Sequence, residues 1–198
     1  IAKRANRAKD WKNDYCLVIT LDIKNAFNTA NWRNTVNALE SLNIPQYLLS
    51  IVKSYFTDRV LIYETDEGAK EYQVTGGVPQ GSVLGPLLWN IMYDGILRLK
   101  LPANATIVGF ADDIALVITA SSLEQAALLA DASIGEVKLW LMSMGLTLAD
   151  HKTEAVLITS RKVEEFLTIK VGECSITTKK QLNHLGVLID NQLTFKAH

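Results

Sequence analysis

Two adjacent carboxylates, Asp112 and Asp113, sit inside the run FADDIALV, which otherwise reads as buried β-strand. Burying an ionised carboxylate without a partner is unfavourable, so such a pair stays in water at a turn, shifts its pKa, or meets a cation. A third acid, Asp22, closes the apolar run YCLVITLD. If the two stretches are neighbours in one sheet, the three carboxylates converge at one edge and repel one another until a hard cation neutralises them. Mg²⁺ suits that task, because it takes oxygen ligands and keeps positions for phosphate. Two such ions activate an attacking hydroxyl and stabilise a leaving phosphate together, which is the chemistry of nucleotidyl or phosphodiester transfer. Taken singly, Asp-Asp is also an ordinary turn pair and Asp22 an ordinary strand cap.

The elements that position these acids follow from periodicity. YCLVITLD, Tyr15 to Asp22, reads as a strand buried on both faces. A helix is expected from about Trp32 to Leu42, and Pro45 opens another that carries Tyr47, Leu48, Ile51, Val52 and Tyr55. RVLIYET and KEYQVTG, separated by Asp66-Glu67-Gly68, form a hairpin. GGVPQGSVLGP is a Gly/Pro loop leading into an apolar helix over roughly Val83 to Leu99, with Ser82 as N-cap and Pro86 in the first turn. ATIVGF and IALVIT flank the acid pair as a tight hairpin with the acids at its tip.

From Ser122 to Met144, Leu123, Ala127, Ala130, Ile134, Val137, Leu141 and Met144 recur at helical spacing, with a Ser122/Gln125 capping box and a stop at Gly145. The tail alternates short strands, GLTLA, EAVLITS, FLTIKV and LGVLI, with turns. The order predicts an α+β layout with helices packed on one face of an antiparallel sheet.

The 198 residues are 48% hydrophobic, enough for one well-packed core, and the formal net charge of -1 with a sequence pI near 6.4 gives no global basic field. Basic residues cluster only at the start, where Lys3, Arg4, Arg7, Lys9 and Lys12 face the single acid Asp10. Such a run is a solvated face or a phosphate-tracking surface. Cys16 and Cys174 have no metal or redox spacing, which suits a reducing intracellular compartment. No apolar run is long enough to span a bilayer, so no membrane partner is expected. The chain starts at Ile1 and stops at LTFKAH, as a segment of a longer polypeptide would.

Asp22 and Phe27 in LDIKNAFN, the loop GGVPQGS, FADD, GLTLADHKTEAVLI and HLGVLIDNQLTF, in that order, resemble the reverse-transcriptase family, most closely the polymerases of LINE-type (non-LTR) retrotransposons. The resemblance runs from about Leu17 through Lys196 and implies a reverse-transcriptase palm: a ferredoxin-like antiparallel sheet with helices on one face, part of the fingers, and the thumb missing. It makes 1–198 one reverse-transcriptase domain fragment, with 1–14 a basic lead-in from the fingers and 180–198 the primer-grip hairpin. The cations that clamp the triphosphate belong mostly to a fingers segment before Tyr15.

By the resemblance, Asp22 and Asp112 ligate two Mg²⁺ ions, Mn²⁺ being able to substitute, with Asp113 completing the triad and the Ile23 carbonyl assisting. Phe27 matches the aromatic that stacks under the incoming sugar and excludes a 2′-hydroxyl; alone, it would read as core. Pro79, Gln80 and Gly81 match the loop against the incoming nucleotide and template, a place where glycine allows close backbone approach and Gln80 can donate and accept. Lys152 matches the lysine that protonates or stabilises departing pyrophosphate, and Leu185 and Gly186 match the primer grip. Two residues depart from the pattern: Ala149 stands where Asn is common, and His184 where Tyr or Phe is usual.

The implied partners are an RNA template, a DNA primer and dNTPs, and the implied location is intracellular, in cytoplasm and nucleus. An RNA-dependent RNA polymerase would carry an acid where Phe27 stands, and a metal-dependent nuclease would need neither the GVPQG loop nor the aromatic gate. The alternative kept open is a catalytically inert, truncated palm that binds nucleic acid without extending it.

Overall fold

YCLVITLD lacks the polar residue at every second position that a half-solvated strand needs, so it calls for cover on both faces. A computed structural model describes residues 15–161 and 165–195 of the chain. Its elements in chain order are β1 (Tyr15–Asp22), α1 (Ala26–Thr29), α2 (Trp32–Ser41), α3 (Gln46–Phe56), β2 (Val60–Thr65), β3 (Gly68–Gln73) and α4 (Leu84–Tyr93). There follow β4 (Ala105–Phe110), β5 (Asp113–Ala120), α5 (Leu123–Ser143), β6 (Glu154–Thr159), β7 (Thr168–Val171), β8 (Cys174–Thr177), β9 (Gln181–His184) and β10 (Val187–Asp190). The described residues form two compact units, those within 15–24, 96–143 and 147–195 in the first, Asn25–Gly95 and Met144–Leu146 in the second.

The first unit is built on a four-stranded sheet in the order β4-β5-β1-β6, antiparallel throughout. With helical structure after β1, the β4–β5 hairpin, and α5 between β5 and β6, this is the split β-α-β order of ferredoxin-like folds. β1 is covered on both faces. On one, Cys16 and Val18 cluster with Val117, Val156 and Ile158, and the β9–β10 hairpin adds Leu182 and Ile189. The alternate residues, Leu17 and Ile19, turn to the other face, and α5 packs on β1, β4 and β5. Each fully buried Leu, Ile or Val here contributes about 1.5–3 kcal/mol.

Helix α5 starts as its sequence predicts, with Ser122 Oγ accepting the Gln125 N–H at 3.1 Å and the Gln125 side chain reaching back to the Ser121 N–H at 2.8 Å. It ends at Ser143, before Gly145 at φ +72. Its core face takes Ala126 and Ser133 as well as Ala130, Ile134, Val137 and Leu141.

In the second unit, α2 packs on α3 and α4, and the rings of Trp32 and Phe56 stack at 4.9 Å. The β2–β3 hairpin forms with Thr65 opposite Gly68, so its turn is Asp66-Glu67, and Val60, Leu61, Ile62 and Tyr63 are exposed.

Three sequence expectations need correction. The helix expected over Val83 to Leu99 stops at Tyr93 and continues as a 3-10 segment, Asp94–Arg98, because Gly95 is a poor α-helix former and the tighter turn commonly finishes a helix. GLTLA is not a strand: only Leu148 makes an isolated bridge, to Ile23. LGVLI begins as a turn, so Leu185 and Gly186 join β9 to β10 instead of extending a strand. Strand β8 was not foreseen; at four residues it carries too few alternations to register. The basic lead-in 1–14 lies outside the described residues, as do 196–198 of the hairpin segment.

His184, the last residue of β9, is buried, and its Nε2 has no hydrogen-bond partner among the described residues. Burial pulls its pKa below the ordinary 6.5, an effect that nearby Asp113 only partly offsets. A folded pKa below the unfolded one gives stability that is present above pH 6.5 and lost as pH falls through the folded value. His184→Phe should therefore stabilise the protein by about 1 kcal/mol near neutral pH. The gap to wild type should widen below pH 6.5, as measured by urea unfolding at pH 8 and pH 5.5; a less stable variant at both would show that the imidazole has a partner.

Candidate active site

Asp22 and Asp113 are the last cross-strand pair of the β1–β5 ladder. Directly opposed residues share a face, so two like charges are neighbours there, destabilising by about 0.2–1 kcal/mol. The arms behind them outweigh this: Ile114, Leu116, Val117 and Ile118 are fully buried, each contributing about 1.5–3 kcal/mol. Phe110 pairs with Asp113, so the turn is only Ala111-Asp112, with Ala111 at φ 53. That left-handed backbone costs a non-glycine residue about 1–2 kcal/mol. The tip thus holds Asp112 beside the Asp22–Asp113 pair.

The electrostatics record the crowding. Partial burial raises the Asp113 pKa first, Asp112 raises it next, His184 opposes, and Asp22 raises it further. A cation already answers one of these charges: Lys152 Nζ lies 3.2 Å from Asp22 Oδ2. Lys152 is carried on a 3-10 turn, Asp150–Lys152, anchored by the Ala149 N–H donating to the Asp22 carbonyl at 2.8 Å. The Lys24 N–H donates to the Thr147 carbonyl at 2.8 Å, so these two bonds around the Ile23–Leu148 bridge leave out the Ile23 carbonyl. Ala149 is itself buried, so its departure from the common Asn fills core space beside the acids.

Among the described residues no three His, Cys, Asp or Glu side chains form a ready metal cage. The carboxylates do fit Mg²⁺, which binds through one or two carboxylates and completes its shell with water and phosphate.

The β9–β10 hairpin presents a two-residue turn, Leu185 at φ 53 and Gly186 at φ 75. Positive φ at both positions is what the tight turn matching strand twist requires. Beyond β10 the Asp190 carboxylate accepts the N–H groups of Gln192, Thr194 and Phe195 at 2.8–2.9 Å. Burial pushes its pKa up, yet these donors together hold it below the ordinary value. The sequence reading passed over Asp190; an Asp followed by a polar turn was the available signal.

The second unit holds the other group. Phe27 is half-buried, its ring stacked on Trp89 at 5.2 Å, which joins the core reading to an aromatic platform. The Val78 N–H donates to the Phe27 carbonyl at 2.7 Å, the Gly77 N–H to the Ala30 carbonyl at 2.8 Å, and Trp32 Nε1 to the Gly77 carbonyl at 2.7 Å. Gly77, at φ +83, has no room for a Cβ, which would lie 2.8 Å from the Asn28 oxygen. Pro79 then turns the chain: its carbonyl accepts from Ser82 Oγ at 2.8 Å, and Ser82 Oγ accepts the Gly85 N–H at 2.9 Å. The N-cap of α4 is Val83 and not Ser82 as expected, although Ser82 Oγ still takes a donor from the first turn; Gln80 and Gly81 are exposed, Gly81 at φ +78. Phe27 and the Pro79–Gly81 turn are stitched together within this unit. Asp22, Ile23, Asp112, Asp113, Lys152, Leu185 and Gly186 belong to the first unit.

A ferredoxin-like antiparallel sheet ending in opposed carboxylates has the layout of a palm domain. The family described as reverse transcriptase (RNA-dependent DNA polymerase) matches residues 3–189, and the chain belongs to it. It is 26% identical over 185 residues to a Pol polyprotein from type-1 retrotransposable element R1 of Bradysia coprophila, covering 93% of this chain and 18% of that protein. It is 26% identical over 205 residues to a probable RNA-directed DNA polymerase from transposon BS of Drosophila melanogaster, covering 100% of this chain and 22% of that one. The chain therefore spans about a fifth of these relatives, and they carry the LINE-type resemblance. Among solved structures, telomerase from Candida tropicalis with the TWJ fragment of telomeric RNA superposes with a TM-score of 0.67 at 14% identity, covering 98% of this chain and 32% of that one. That likeness confirms the α+β palm fold.

A carboxyl whose folded pKa is raised lends most stability when protonated and loses it as pH rises through that value. Asp113→Asn should therefore raise the melting temperature of the metal-free protein at pH 7, with the difference closing toward pH 4. Mg²⁺ should stabilise wild type more than the variant. Differential scanning fluorimetry with EDTA or Mg²⁺ checks both, and a variant less stable than wild type at pH 7 in EDTA would contradict the crowding of the acids.

Proposed function

We propose that this chain is the catalytic palm of a LINE-type retrotransposon polymerase, adding dNMP from dNTP to a primer 3′-hydroxyl on an RNA template. The observation that carries the reading is the Asp22–Asp113 cross-strand pair with Asp112 at the adjoining turn. Nothing in a purely structural sheet end calls for three acids there, and nucleotidyl transfer does.

Asp22, Asp112 and Asp113, with the Ile23 carbonyl, would hold Mg²⁺ or Mn²⁺, which when bound lowers the pKa of the attacking hydroxyl and neutralises charge on the leaving phosphate. The chain's own groups do the rest. The three carboxylates fix where a bound cation, and with it the anionic triphosphate, would sit. Lys152, a cation at 3.2 Å from Asp22, stands ready to stabilise or protonate departing pyrophosphate. The Phe27 ring, backed by Trp89, gives a flat surface for the incoming sugar, and a 2′-hydroxyl has no polar partner on it. The Pro79-Gln80-Gly81 turn offers exposed backbone and one amide side chain to a base pair without adding charge. The Leu185-Gly186 turn stands out from β9–β10 as the element to grip the primer strand. The protein so described works inside the cell, in cytoplasm and nucleus. Among the described residues no helix is long and apolar enough to cross a membrane.

Primer extension by the full-length protein on an RNA template, with Mg²⁺ and dNTPs, tests the reading. Asp112→Asn should lower extension on the order of a thousandfold while leaving the circular-dichroism melt nearly unchanged. Near-normal activity would remove Asp112 from the site, and a folded wild-type protein that extends nothing would point to an inert palm. Phe27→Val should raise ribonucleotide incorporation relative to deoxynucleotide by roughly tenfold. Unchanged sugar selectivity in single-nucleotide incorporation would return Phe27 to the core.

A further inference from the structure

The contact between Lys152 and Asp22 is exposed, at 56% and 39% for the two side chains, and exposed ion pairs are screened and easily exchanged for water. The backbone beneath is a single 3-10 turn. Its closures are the Lys152 N–H to the Ala149 carbonyl at 2.8 Å and the Thr153 N–H to the Asp150 carbonyl at 3.2 Å. Isolated turns of this kind have poor hydrogen-bond geometry. The bond from the Ala149 N–H to the Asp22 carbonyl anchors the residue before the turn, and a cation that must stay at one place beside Asp22 needs the turn itself held as well.

The support comes from the first residue of the same turn. Lys138, on α5, donates to both oxygens of the Asp150 carboxylate at 3.1 Å each. This pair is less exposed, at 30% and 26%, so it is screened less. Gly172, in the turn between β7 and β8, lies directly against it. A Cβ there would sit 1.9 Å from Asp150 Oδ2 and 2.6 Å from Lys138 Nζ, and the backbone is at φ +59. The turn is thus closed over the pair where only glycine fits. The Asp150 carboxylate is held from the helix while, two residues on, Lys152 reaches Asp22.

We propose that Lys138 is a positioning residue for nucleotide addition: by clamping Asp150 under the β7–β8 turn, it fixes the 3-10 turn that carries Lys152 and so keeps the Lys152 ammonium at Asp22. This rests on the role proposed for Lys152 above. Lys138 acts through Asp150, and its charge is useful only because a second lysine follows on the same turn.

The test compares Lys138→Met, which keeps most of the aliphatic stem and loses the charge, in the wild-type and Lys152→Ala backgrounds of the full-length protein. Single-turnover incorporation of one dNTP on an RNA template should slow by about tenfold in Lys138→Met, with the dNTP concentration for half-maximal rate nearly unchanged. In the Lys152→Ala background the same substitution should have no further effect. Lys138→Arg, which can also bond both carboxylate oxygens, should recover most of the rate. A second readout needs no activity: amide hydrogen exchange at Lys152 and Thr153 should quicken about tenfold in Lys138→Met while β1 stays protected.

A rate loss as large in the Lys152→Ala background as in wild type would make Lys138 merely structural and overturn the proposal. So would unchanged exchange at Lys152 and Thr153. If the wild-type protein extends no primer, the polymerase reading falls on its own, and the exchange comparison alone decides whether Lys138 holds the turn.

Discussion

Everything in the first unit depends on a strand that is apolar on both faces and ends in an acid. β1 is locked by cover from the β9–β10 hairpin on one face and by the sheet's packing against α5 on the other, and that cover fixes its register against β5. Slipping β1 by one residue would turn its buried side chains to the wrong faces. The same register that satisfies the core therefore sets Asp22 opposite Asp113. The repulsion between them is small against the burial behind them, so the sheet tolerates a charged end that its own stability does not need.

The second unit solves a different problem, bringing a loop close to an aromatic shelf without side chains in the way. Gly77 and Gly85 both lie where a Cβ would collide with backbone, against Asn28 and Pro79 respectively. The loop consequently lies on α1 and bonds to the first turn of α4 through Ser82, and its exposed part narrows to Gln80 and Gly81. The stacking of Phe27 on Trp89, and of Trp89 on Tyr93 at 5.4 Å, continues the shelf into buried rings. A Phe of this kind is core on one side and platform on the other, so the choice between packing and gating posed by the sequence is not exclusive.

The fold is shared with telomerase at 14% identity because it is specified by pattern, by which faces are apolar and where turns fall, more than by particular residues. The departures fit that view. Ala149 keeps its backbone bond to Asp22 whatever its side chain, and His184 occupies a buried site where shape matters more than a nitrogen without a partner among the described residues.

The strands and helices with strong periodicity were legible: β1 from its unbroken apolar run, the β4–β5 hairpin from its acid tip, α5 from its spacing and caps. The convergence of Asp22, Asp112 and Asp113 was legible as well, from their places at a strand end and a hairpin tip. The short strand β8, the 3-10 finish of α4 and the place of the turn within the 180–198 hairpin were not, because four residues carry too little periodicity to separate a strand from a turn. What the sequence alone determined was which residue types stand ready for chemistry and which stretches hold them. Only the tertiary structure decided which acid opposes which, that Lys152 meets Asp22 across 130 residues of chain, and that Lys138 supports it through Asp150. Those choices depend on register and on contacts between distant segments, where burial summed over whole strands and helices, not local propensity, selects the partner.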